Sequence, residues 1–202
     1  SMKGSKTVSE RINLLNDVEK IVFVSKWVQN RYFIGLDQKL LNKTEVVYPS
    51  IHKEKKIVKK DKKIVFVGKL NPSKGYDIYR DSIVRILNEF KDWKAFSIGD
   101  ERRNKPIIDH QNHYELGYLT HKEVLKFLNK SEIAVVPSRW EEPFGRTSLE
   151  ASSRGCATII SNRGGLKETI TDGIVVNKFT VQNFSKNIKK LITNKKLLLK
   201  YQ

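Results

Sequence analysis

Two acids and two lysines are the residues of this chain best placed to do chemistry. Glu142 and Glu150 bracket the start of a helical segment at 146–154, with Phe144 and Gly145 between them. Lys69 and Lys74 stand in a glycine-bounded loop, VGKLNPSKG, at 67–75. A loop carboxylate can accept hydrogen bonds from sugar hydroxyls, and a second can hold the two hydroxyls of a ribose. Backbone N–H groups at a helix start attract anions, so Gly145, Arg146 and Thr147 are candidates to hold phosphate. Gly68 lets the chain leave its strand tightly, which brings Lys69 and Lys74 toward the same edge as a diphosphate clamp.

Each feature also has a plainer reading. Thr147 to Glu150 fits the S/T-x-x-E capping box, Glu142 could be a surface acid, and lysines in turns are exposed by default. Gly164-Gly165 allows close backbone approach to a ligand, or is a simple turn. Other chemistries lack their signatures. The 67–75 loop has neither Walker nor G-x-G-x-x-G spacing. The four histidines, His52, His110, His113 and His121, show no metal-ligand spacing, there is no Asp-x-Asp, and no nucleophile elbow or Cys–His pairing appears. No metal site is expected.

The elements that must position these groups follow from apolar runs and their stops. Strands are expected at 20–25, 46–48, 64–67, 94–98, 114–116, 133–137, 156–160 and 174–176. Residues 1–19 are weakly helical, and Ser25 is placed to cap a helix at 27–36. Further helices are expected at 76–90, 122–130 and 146–154, the last stopped by Gly155, then after Gly164-Gly165, and at 181–193. Alternating strands and helices give an α/β, Rossmann-like parallel sheet with helices on both faces. The lysine-rich run at 53–63 reads as a linker or solvated turn. It divides the chain into an N-terminal strand–helix segment, 1–52, and a main domain, 53–202.

Composition sets outer limits. Of 202 residues, 39% are hydrophobic, which suits a folded domain. No apolar run approaches the roughly 18 residues of a membrane-spanning helix. Residues 1–20 lack a signal-peptide core, and Ser1-Met2 reads as a protease scar ahead of an initiator methionine. The single cysteine, Cys156, excludes an intrachain disulfide framework and suits a cytoplasmic location. A net charge of +17 admits a solvated lysine surface, peripheral contact with an acidic membrane leaflet, or nucleic-acid binding, in that order. The last is disfavoured because the basic runs carry no interleaved aromatics.

Taken together, E-P-F-G-x-x-x-x-E from Glu142 to Glu150, VGKLNPSKG and GGLKETITDG resemble the C-terminal half of retaining family 4 glycosyltransferases of GT-B fold. The resemblance spans 64–176, and 20–50 looks like the last strand–helix unit of that family's acceptor domain plus the interdomain segment. It implies a donor domain that binds a nucleotide-diphosphate sugar, foremost a UDP-sugar, without metal or other cofactor. Lys74 and Lys69 would neutralise the diphosphate, Glu142 would contact the sugar, Phe144 and Gly145 would present backbone amides, and Glu150 would hold the ribose. The segment 117–120, with Leu119, would line the base pocket. Lys69 stands where the family usually has Arg, keeping charge but losing the bidentate fork. The implied role is polysaccharide or lipid-linked glycan synthesis, with the acceptor met by an N-terminal domain expected upstream of Lys20. On that reading the isolated chain binds donor without transferring sugar. The alternatives are another GT-B sugar-nucleotide enzyme, such as an epimerase, and a basic nucleic-acid or membrane-binding module.

Overall fold

A computed structural model describes residues 6–34, 38–52, 58–103 and 106–202. These fall into two compact units, divided between Pro49 and Ser50. In the first, α1 (Lys6–Asp17) precedes a parallel pair, β1 (Ile21–Phe23) and β2 (Thr44–Val46), joined through α2 (Lys26–Tyr32). Ser25 caps α2, accepting from the backbone N–H of Val28 as its position suggests. That helix ends at Tyr32 rather than 36, and residues 35–37 lie outside the described set. Phe23, Phe33 and Leu40 form the unit's small buried core.

The second unit is a six-stranded, all-parallel sheet, in the order β5-β4-β3-β6-β7-β8. Its strands are β3 (Asp61–Val67), β4 (Lys94–Ile98), β5 (His113–Glu115), β6 (Ser131–Val136), β7 (Ala157–Ser161) and β8 (Ile174–Val176). Between them run α3 (Tyr76–Glu89), α4 (His121–Asn129) and α5 (Arg146–Ser153), and α6 (Val181–Thr193) and α7 (Lys195–Lys200) end the chain. The expected α/β architecture is therefore present.

Alternation along β3 builds two cores. Ile64 and Phe66 face one side, where Tyr76, Tyr79, Ile83 and Leu87 of α3 and Phe184, Ile188 and Leu191 of α6 cover them. Val65 faces the other, with Phe96, Ile98 and Ala134, under Val124 and Leu128 of α4 and Ala151 of α5. Each fully buried side chain of this size contributes about 1.5–3 kcal/mol, so both helix layers are firmly seated.

Two expectations needed correction. β3 begins at Asp61, inside the lysine run, because Asp61 already pairs with Ser131 of β6 and Lys63 with Lys94 of β4. Lys63 lays its stem along the sheet and sets its ammonium 5.4 Å from the Phe127 ring centroid. Of that run, 53–57 lies outside the described residues. Also, no second α-helix follows Gly164-Gly165. Gly164–Glu168 is a single 3-10 segment.

Sheet order also fixes where a ligand can sit. From β3 the chain builds outward through β4 to β5, then returns to place β6 on the other side of β3. The order therefore reverses between β3 and β6. In open parallel sheets the crevice beyond the strand ends at such a reversal is where ligands bind. The loops leaving β3 and β6 are those carrying Lys69, Lys74 and Glu142.

Candidate functional site

After β3, Asn71 caps a short 3-10 turn, Pro72–Lys74, its Oδ1 accepting from the Lys74 N–H at 3.2 Å. That turn aims the Lys74 side chain across the reversal. Its Nζ lies 2.6 Å from Oε1 of Glu142 in the loop after β6. Ser138, the second residue past β6 and fully buried, donates to the same oxygen at 2.9 Å. The N–H groups of Arg139 and Trp140 both donate to the Ser73 carbonyl at 3.0 Å. Arg139 makes a bidentate contact with Asp77 at the start of α3 and lies over the Phe179 ring. The two loops are thus clasped by backbone and side chains before any ligand arrives.

Two adjoining cavities open at this edge and share Val67 and Gly68. The smaller, about 60 Å³, is lined by Lys74, Ser138, Glu142, Gly145, Arg146 and Thr147 among others. The larger, about 580 Å³, is lined by Lys69, residues 98–103, Tyr118 and Leu119 among others. Lys69 and Lys74 therefore do not converge in one cavity as the loop suggested. They stand in neighbouring ones, on either side of Gly68.

The start of α5 faces the smaller cavity. Gly145, at φ 105°, is its N-cap, with no side-chain cap. The Thr147–Glu150 capping box does not form, because Thr147 is already the second residue of the helix. A capping box does exist in the chain, between Thr120 and Glu123 at the start of α4. Phe144 is only 5% exposed and lines neither cavity. Glu150 lines neither cavity. Its Oε1 lies 3.1 Å from Nε2 of His121 and 3.5 Å from Nη2 of Arg146.

The Gly164-Gly165 pair serves the site indirectly. A Cβ on Gly164 would overlap the Glu142 backbone, and one on Gly165 would press on the Pro143 carbonyl. The Gly165 N–H donates to the Glu142 carbonyl at 2.7 Å. The close approach these glycines allow is thus to the loop that carries Glu142, rather than to a ligand.

The sequence assigns no role to Asn71 or Ser138 and weighs His121 only as a metal ligand. Asn71 could have been found as the residue three before Lys74, a cap position ahead of a proline. Ser138 and His121 act across the fold and leave no local signal.

A family model described as glycosyl transferases group 1 matches residues 47–202. The chain belongs to this family. An uncharacterized glycosyltransferase of Methanocaldococcus jannaschii is 33% identical over 189 residues, covering 89% of this chain and 51% of that protein. A glycogen synthase of Mycobacterium tuberculosis is 29% identical over 117 residues, covering 54% of this chain and 28% of its own. The chain spans about half the length, or less, of these relatives. Among solved structures, Anabaena HepE in complex with UDP-glucose superposes with a TM-score of 0.76 at 17% identity, covering 100% of this chain and 62% of its own. A glycosyltransferase from Rickettsia africae gives 0.77, also at 17%, covering 100% and 61%. The sheet is thus that of a GT-B glycosyltransferase half. Among the described residues of this group 1 domain, no helix is long and apolar enough to cross a membrane.

Proposed function

We propose that this group 1 domain binds the nucleotide-diphosphate sugar, foremost a UDP-sugar, for a retaining glycosyl transfer of the family 4 type. The observation that carries the reading is the contact of Lys74 with Glu142, at 2.6 Å, beside the start of α5. Cation, carboxylate and free helix N–H groups meet at one point on the sheet reversal, which suits the junction between a diphosphate and a sugar.

In this reading the base enters the larger cavity beside Leu119 and the diphosphate crosses Gly68. Lys74, Lys69 and the N–H groups of Gly145, Arg146 and Thr147 meet its charge. That arrangement stabilises the nucleoside diphosphate as the bond to the anomeric carbon breaks and negative charge grows on the leaving oxygen. No metal is needed for that role, since fixed cations and dipoles supply the charge. Glu142 keeps Oε1 on Lys74 and Ser138 while Oε2, which takes no hydrogen bond from a described residue, accepts from a sugar hydroxyl. Glu150 holds the ribose, as the family resemblance implies, from beside the cavities rather than from their lining. The HepE complex with UDP-glucose supports the choice of uridine. Two Klebsiella pneumoniae relatives described as proteins in a cps region support a role in polysaccharide or lipid-linked glycan synthesis. The acceptor would be a glycan or lipid-linked sugar met by a further domain.

Calorimetry with UDP, GDP and ADP tests the reading. UDP binding that weakens in Lys74→Ala is expected. A folded chain that binds none of the three would sink it.

A further inference from the structure

Glu150 is a mostly buried carboxylate with a divided environment. Its side chain is 10% exposed, and both of its partners, His121 and Arg146, reach the same oxygen, Oε1. Oε2 takes no hydrogen bond from any described residue. The Arg146 contact is an i,i+4 pair at 3.5 Å from a side chain 73% exposed. Such a pair contributes a few tenths of a kcal/mol, too little to fix a carboxylate by itself. His121 is better placed to do so. It opens α4, whose first turn is set by the reciprocal Thr120–Glu123 capping box, and α4 packs beside α5. A carboxylate carries no proton, so the 3.1 Å contact is favourable only when Nε2 of His121 bears the hydrogen, in the neutral Nε2–H tautomer or the imidazolium alike.

We infer that His121 is the positioning residue for the ribose grip: by holding Oε1 it fixes Glu150 with Oε2 offered to the ribose hydroxyls of the bound nucleotide. The inference rests on the donor-site reading above and goes beyond it, because His121 itself need not touch the donor. Without His121 the carboxylate rotates about its terminal torsion, and either oxygen can turn to water or to Arg146. The grip on the 2′ and 3′ hydroxyls is then lost, while the diphosphate contacts through Lys74 and the α5 start stay in place.

The test compares UDP, 2′-deoxy-UDP and 3′-deoxy-UDP by calorimetry on the 202-residue chain, for wild type, His121→Ala and His121→Gln. Removing a hydroxyl that bonds to a carboxylate weakens binding by about tenfold, so wild type should prefer UDP over at least one deoxy analogue by that factor. In His121→Ala, UDP should weaken about fivefold to tenfold while that analogue barely changes, bringing the ratio close to one. His121→Gln, whose amide N–H can reach the same oxygen, should restore the preference. A His121→Ala ratio equal to wild type, or an equal fall for all three ligands, assigns the histidine to packing alone and overturns the inference. The donor-site reading then survives. A wild-type chain that binds UDP without any ribose preference also overturns it. A folded chain that binds no nucleoside diphosphate overturns both. Circular dichroism of each variant identifies an unfolded protein, and Gln decides the matter where Ala does not fold.

Discussion

Nζ of Lys74 and Oε1 of Glu142 meet at 2.6 Å across the reversal of the sheet, though 68 residues separate them in sequence. Both groups are only partly exposed, 33% and 15% by side chain, so the contact is stronger than a solvated surface pair. If Lys74 neutralises the diphosphate and Glu142 the sugar, their substitutions should separate. Lys74→Ala should weaken UDP about tenfold, the loss of one charge-assisted hydrogen bond. Glu142→Gln should weaken UDP-sugar by at least that factor and free UDP much less. Calorimetry on both ligands checks this, and equal effects of Glu142→Gln on the two would remove Glu142 from the sugar.

The clasp between the two loops depends on a missing side chain. Gly75 sits at φ 72°, and a Cβ there would overlap the Pro137 carbonyl at the end of β6. Gly75→Ala therefore combines left-handed strain with overpacking against backbone, each costing about 1–3 kcal/mol. Denaturant titration should show a loss of about 2–6 kcal/mol. UDP binding should fall even where the chain still folds, since Lys74 precedes this residue. A loss under 1 kcal/mol would mean the loops part easily.

The frame of the site was legible in sequence wherever a local rule decided it. β4 at Lys94–Ile98 and α6 at Val181–Thr193 match expectation because an apolar run ends at Gly99 and because Thr180 caps a strongly amphipathic stretch. Rules that local context could satisfy twice failed. The charge run hid the first residues of β3, since lysine stems pack where only the ammonium was considered. Thr147 to Glu150 looked like a capping box, but Gly145 starts the helix two residues too early. α7 was missed because Asn194 stops α6 and caps the next helix at once. The partners Ser138 of Glu142 and His121 of Glu150 could not be read at all. Ser138 and His121 reach them only through the packing of β6, α4 and α5.

Glu101, in the loop after β4, supports the turn that carries Lys74 from behind. Its Oε2 accepts from Nδ2 of Asn71 at 2.8 Å, and Asn71 in turn caps the turn that carries Lys74. The Arg103 guanidinium and backbone N–H and the Asn71 amide hold the Glu101 carboxyl down to about 2, against an ordinary 4.5. As pH falls the unfolded chain takes up this proton first. The stabilisation is therefore complete above about 4.5 and is lost as pH falls toward 2. Thermal midpoints measured between pH 6 and 2.5 should show a gap between wild type and Glu101→Gln that closes across that window. A gap independent of pH would mean that Glu101 acts by shape alone.

Lys60 joins the C-terminal ends of α4 and α5, the helices that carry His121 and Glu150. Its ammonium donates to the carbonyls of Asn129, the last residue of α4, and Ser131, the first of β6, at 3.0 Å each, and of Arg154, the C-cap of α5, at 2.7 Å. The Asn129 and Arg154 carbonyls lie at the negative ends of two helix dipoles and lack intrahelical partners, so a cation there satisfies both needs. Partial burial draws the lysine's own pKa below its usual value, the cost of removing the charge from water. The hydrogen bonds offset that cost. Lys60→Met keeps the stem and removes the charge, leaving the carbonyls poorly satisfied, and should destabilise the domain by about 1–3 kcal/mol in a denaturant titration. Because α4 carries His121 and α5 carries Glu150, the same variant should weaken UDP more than a deoxy analogue that lacks the ribose contact. A variant as stable as wild type would show that these helix ends are held by packing alone and that the ammonium is replaceable by water.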